Sequence, residues 1–115
     1  MKAETDFEQD GMVLCAANSY TQKYFFNKNF DRIPESYKEE LHVICVLFAS
    51  EVGGLFMMRF EEDGELTLIS EPDEDDMMYD SVSAGLTIGE IRRSRADMIS
   101  ELEHFYRVFV LKEDE

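Results

Sequence analysis

The sequence predicts an α+β domain: a small antiparallel sheet covered by helices, in the order helix, helix, β-hairpin, short helix, long helix. Two stretches, GLFMMRF and ELTLISE, flank EEDG in the pattern of a hairpin. Two others, around Leu41 and around Leu102, space their apolar residues three and four apart, as amphipathic helices do. No repeat and no Pro/Gly/Ser linker divides the 115 residues, so one domain over 1–115 is expected, with 1–9 and 112–115 frayed.

The first element is read from GMVLCAANSYTQKYFFN. Val13, Ala16, Ala17, Tyr20 and Tyr24 suit a helix, the reading taken in the order above. MVLCA and YTQKYFF around ANS are also compatible with a second hairpin, so residues 12–27 stay open between the two. The second element, IPESYKEELHVICVLFASEVGG, has Pro34 where a first helical turn tolerates it and glycines where helices stop. Tyr37, Leu41, Ile44 and Phe48 keep helical spacing. The apolar run Val43 to Phe48 predicts that the second half of this helix is central and buried. A strand over 42–48 is the alternative, given its β-branched residues.

The hairpin turns at Asp63-Gly64. With those two residues as a tight turn, Phe60 lies opposite Thr67 and Met58 opposite Ile69. Phe56, Met58, Phe60 and Ile69 then share one face, and Leu55, Met57, Arg59, Leu66 and Leu68 the other. Both faces are largely apolar, which a lone hairpin does not tolerate in water. Helices are therefore expected on one face, with further strands or a second subunit completing the sheet. A homodimer with a continuous sheet is the economical form.

The stretch EPDEDDMMYD follows. An EF-hand-like calcium loop fails here, because counting from Asp73 puts Met77, Met78 and Ala84 where an oxygen ligand, a glycine and a glutamate are required. Carboxylates crowding a helix start are favoured by its dipole. With Ser70 or Asp73 as cap and Tyr79, Val82 and Leu86 continuing at helical steps, the run reads as a solvated helix start. Thr87 and Glu90 then have the form of a capping box, with Leu86 and Ile91 as its staple, so a new helix is expected from about Ile88. Its stripe is Met98, Leu102, Phe105 and Phe109, extended by Ile99 and Tyr106. Glu103 and Arg107 are placed to pair across one turn.

Acidic residues outnumber basic ones 26 to 11, for a net charge of −15 and a pI near 4.3. That sign excludes a phosphate-binding or anionic-membrane surface as the expected function, so neither nucleic acid nor membrane is an expected partner. Cys15 and Cys45 stand alone in apolar runs and read as buried reduced thiols. The acidic opening MKAETDFEQD lacks the form of a signal peptide, and the longest apolar run, VICVLFA, is about a third of what spans a bilayer. A cytoplasmic protein is expected.

No nucleophile elbow, phosphate loop, dinucleotide glycine pattern or His-Glu-x-x-His is present, and His42 and His104 are isolated on their segments. No catalytic residue, metal or cofactor is therefore assigned. Between Arg59 and Arg92 there is no basic residue, and Arg92, Arg93 and Arg95 then cluster. The expected function is a non-enzymatic interaction or regulatory module that docks a basic partner through Asp73, Glu74, Asp75, Asp76, Glu61 and Glu62. The alternative is a small-molecule-binding protein or enzyme, with a pocket built by Tyr20, Tyr24, Phe25 and the hairpin methionines. A third reading is an acidic mimic of nucleic acid.

LCAANSYTQKYFFN followed by VLFASEVGGLF resembles a family of small bacterial proteins of unknown function, over about residues 10 to 111. That resemblance implies a bacterial, cytoplasmic protein and brings no activity, ligand or catalytic residue. A more distant similarity is to the roadblock type of dimeric scaffold, whose strand count exceeds the one read here.

Overall fold

A computed structural model describes residues 12–112; the ends expected to fray lie outside that range, Lys112 excepted. The first segment is a hairpin and not a helix: β1 (Val13–Asn18) and β2 (Lys23–Phe26) pair antiparallel. Its turn is made locally. Asn18 Oδ1 accepts from the amides of Tyr20 and Thr21, and Gln22 takes a left-handed φ of 57°. Residues 13–17 of β1 are all buried, so the strand shows no alternation that could separate it from a helix. Asn27, a buried polar residue, then caps a 3-10 turn over Lys28–Phe30 and donates from Nδ2 to Val13 O at 2.8 Å.

Next comes α1 (Glu35–Glu51), which decides residues 42–48 in favour of helix. Its second half is not wrapped by the fold, contrary to expectation. Leu41, Ile44, Cys45 and Phe48 are buried, but Val43, Val46 and Leu47 are 51%, 43% and 51% exposed. The helix lies on one face of the sheet only, so half its apolar circumference stays in water.

β3 (Leu55–Phe60) and β4 (Leu66–Glu71) form the expected hairpin with a different register: Phe60 faces Leu66 and Met58 faces Leu68. The loop is one residue longer than a tight turn. Gly64, at φ 93°, donates to Glu61 O, and Glu61 N donates to Glu65 O, leaving three residues between them. One extra residue moves a whole strand's side chains to the opposite face. Leu66 and Leu68 therefore join Phe56, Met58 and Phe60 in the core, and Ile69 goes to the far face.

The sheet order is β2-β1-β3-β4, all antiparallel, so the strands needed to complete the hairpin come from the chain's own first segment. The last two helices are α2 (Ser81–Ser94) and α3 (Ala96–Phe109). No helix begins at Ile88, since Thr87 and Glu90 lie inside α2. The break falls at Arg95, whose φ of −116° and ψ of 26° are non-helical. Glu103 and Arg107, rather than serving only α3, reach the β3–β4 hairpin: Glu103 accepts from Leu66 N and Arg107 donates to Asp63 O. Arg92 of α2 donates to Leu66 O.

One core results, between the inner sheet face and residues of α1 and α3 that include Ile44, Cys45, Phe48, Ile99, Leu102 and Tyr106. Phe48 stacks on Phe56 at 4.2 Å and Phe60 on Tyr106 at 4.3 Å. Across the outer face, Phe25, Ala16, Met57 and Ile69 form one cross-strand row. No helix among the described residues is long and apolar enough to cross a membrane.

Candidate functional site

Asp73, Glu74, Asp75 and Asp76 sit in the loop between β4 and α2 and do not start a helix. The first free amides of α2, on Val82 and Ser83, are claimed by Asp80 Oδ1 at 3.0 and 3.3 Å, so the cap is the last residue of EPDEDDMMYD and neither Ser70 nor Asp73. Before that cap the chain takes two turns, with Asp76 N donating to Asp73 O and Met78 N to Asp76 Oδ1.

Tyr20, from the β1–β2 turn, pins this loop. Its hydroxyl donates to Asp76 Oδ2 at 2.6 Å and accepts from Asp73 N at 2.8 Å. The loop's far end is held by Tyr79, whose hydroxyl bonds Ser70 Oγ at 2.6 Å. Between the two tyrosines Met77 and Met78 project into solvent, 92% and 90% exposed, with carboxylates on either side. The two adjacent methionines make a small exposed apolar patch rimmed by carboxylates, the form that an interaction site takes.

The tyrosine bond holds Asp76 below the ordinary carboxylate range, while desolvation, ahead of the neighbouring carboxylates, raises Tyr20. A depressed carboxyl contributes its bond fully above the ordinary value and loses it as pH falls through the lowered one. Tyr20→Phe should therefore move the Asp76 titration upward in a carboxyl-detected NMR experiment and speed amide exchange at Asp73 at neutral pH. An unmoved Asp76 would show that Tyr20 does not hold the loop.

Glu61 and Glu62 lie at the other end of β4, with Met12, Arg59, Asp63 and Glu65 around a shallow groove. Six residues of strand separate the two acidic ends, roughly 20 Å. The sequence-derived carboxylates thus form two separate clusters, and only the loop cluster is joined to an exposed apolar group. Among the described residues no three of His, Cys, Asp and Glu converge as metal ligands. The three clustered arginines diverge: Arg92 to Leu66 O, Arg93 to Glu90 at 3.0 Å, Arg95 to Glu40 at 3.3 Å.

The aromatic and methionine pocket considered in the sequence is dispersed by the fold. Tyr24 and Phe25 alternate across β2, Met58 is fully buried, Met57 is on the outer sheet face, and Tyr20 serves the loop. A different cleft, of about 540 Å³, opens between β2 and α1, with Asn18, Gln22, Lys23, Tyr24, His42 and Val46 in its lining. Tyr24 and His42 stack there at 4.4 Å. The Tyr24 hydroxyl is buried with no hydrogen-bond partner of adequate geometry; burial, then the adjacent Cys15, holds it protonated far above its ordinary range. Behind it Cys15 and Cys45 are free thiols 3.6 Å apart. The bond from Cys15 and then burial push Cys45 up, which makes it a poor nucleophile at neutral pH.

Sequence reasoning missed Tyr20 as the organiser of the loop. Its partners lie 53 and 56 residues away, so no local spacing carries the signal. Residues 11–114 match the model of a family described as a family of unknown function (DUF6145). No curated protein and no solved structure matches the chain.

Proposed function

We propose, from the premise that this chain belongs to DUF6145, a family of unknown function, that it is a non-enzymatic interaction module that docks a basic partner through the loop between β4 and α2. One observation carries the reading: Met77 and Met78 stand nearly fully exposed among Glu74, Asp75 and Asp76, on a loop fixed by Tyr20. The methionines supply burial, worth about 1.5–3 kcal/mol for each side chain fully covered. The carboxylates supply attraction for lysine or arginine, and mainly govern encounter rate and salt sensitivity. Because the loop is already ordered, docking spends less entropy on arranging it.

The test is titration of an amphipathic, arginine-rich peptide at low and high salt, followed by calorimetry. Met77→Ser with Met78→Ser should weaken binding by about tenfold or more. Neutralising Asp73, Glu74, Asp75 and Asp76 to Asn or Gln should remove most of its salt dependence. Binding indifferent to both changes rejects the loop as the docking site.

A small-molecule reading is favoured by the cleft that the stacked Tyr24 and His42 line. Fragment screening by NMR that leaves the Tyr24 and His42 resonances unmoved would dismiss it.

A further inference from the structure

We infer that the outer face of α2 seats a second copy of this chain, with the two α2 helices antiparallel across a two-fold axis near Leu86. Of the helix's 14 residues only Ala84 is buried, with Ile88 and Ile91 packed partly against the core. The opposite side carries Val82 and Leu86, one turn apart and each 69% exposed. Gly85 and Gly89 flank that ridge, and a Cβ added at Gly85 would have nothing within 4 Å. The ridge is a short apolar one, followed along the helix by exposed Glu90 and Arg93, and no described residue buries Val82 or Leu86.

Charge identifies what does. α2 begins at Asp80, directly after the carboxylate loop, and carries Arg92 and Arg93 in its last turn. About 21 Å of helix separates these ends. A parallel copy would set like charges together, and an antiparallel one brings each acidic start against the other's basic end, with the helix dipoles opposed as well. Arg93 is available for this exchange. Its side chain is 72% exposed, and its bond to Glu90 is the kind of surface pair that contributes little.

Two-fold symmetry makes the contact isologous, so Leu86 meets its own counterpart in the second copy. One helix face is smaller than the ~800 Å² that a stable interface takes from each partner, so the pair is concentration-dependent and salt-sensitive. The stripe of Val43, Val46 and Leu47 on α1 is comparably exposed and has no such charge polarity, which makes it the control surface. This inference does not rest on the docking reading, because it needs neither a foreign partner nor the exposed methionines Met77 and Met78.

Sedimentation equilibrium from about 1 to 300 μM tests it. The wild-type mass should rise from one chain towards two across that range. Leu86→Glu and Arg93→Glu, both at exposed positions, should raise the dissociation constant at least about tenfold with an unchanged circular dichroism spectrum. Leu86→Cys should form a disulfide-linked dimer under oxidised glutathione faster than Leu47→Cys does. A wild type that stays one chain throughout overturns the inference. So does a dimer that survives Leu86→Glu or cross-links equally well through Leu47→Cys. The Met77→Ser, Met78→Ser protein separates this inference from the docking reading, since peptide binding can fail there while Leu86→Cys still cross-links.

Discussion

Phe60→Ala should destabilise the protein by about 3–5 kcal/mol, a large part of the 5–15 kcal/mol that holds a domain of this size together. Phe60 is fully buried at the end of β3, where it stacks on Tyr106 of α3 at 4.3 Å and tilts against Phe30 at 5.3 Å. It joins the sheet, the 3-10 turn and the last helix in one contact, so truncation leaves a cavity that no single neighbour can refill. The loss combines transfer, cavity and about 0.5–1.5 kcal/mol of ring–ring contact. Urea unfolding with an unchanged slope measures it. Val43→Ala, at a position 51% exposed, should stay within about 0.5 kcal/mol of wild type. A Phe60→Ala loss no larger than that of Val43→Ala would mean that sheet and α3 are not packed as described.

Gly54→Ala should cost about 2–4 kcal/mol, combining a left-handed backbone with a collision. Gly54 has φ 75°, and a Cβ there would come within 2.7 Å of Glu71 O and 3.0 Å of the Tyr79 ring. The obstructing oxygen is backbone of the neighbouring strand, so β4 would have to move, and the Tyr79 ring with it. The same substitution at Gly85 should have the opposite sign. That residue is helical, with open space around it, and alanine should add about 0.5–1 kcal/mol to the monomer. Thermal unfolding of the two variants, at concentrations too low for self-association, compares them directly. Equal effects would show that Gly54 is not held in its strained conformation.

Much of this fold is legible in the sequence. The turn residues Asp63 and Gly64 make the β3–β4 hairpin readable. A solvated side writes a helical period into the helix ending at the double glycine and into the stripe of Met98, Leu102, Phe105 and Phe109 with Ile99 and Tyr106, of which Phe109 proves 51% exposed. What failed lacked that contrast. β1 is a central strand buried on both faces, so its apolar run was as compatible with a helix as with a strand. The hairpin register depended on whether Gly64 closes a two- or a three-residue loop, a difference made by one backbone hydrogen bond. The expected division of α2 is absent because Thr87 and Glu90 imitate a cap inside a continuous helix, while the true cap, Asp80, stands among other acids. The carboxylates of the candidate site could be read; the tyrosine that organises them, from the turn of another hairpin at the same end of the sheet, could not.

Leu66 has a consequence beyond the packing it helps to close. Both its peptide groups on the outer side of β4 are occupied by side chains of the protein's own helices, the amide by Glu103 and the carbonyl by Arg92. A foreign strand aligning there would first have to evict a carboxylate and a guanidinium from their bonds. Runaway growth of ribbon upon ribbon, the standing hazard of any open sheet, is thereby discouraged on that flank by two ordinary surface ions.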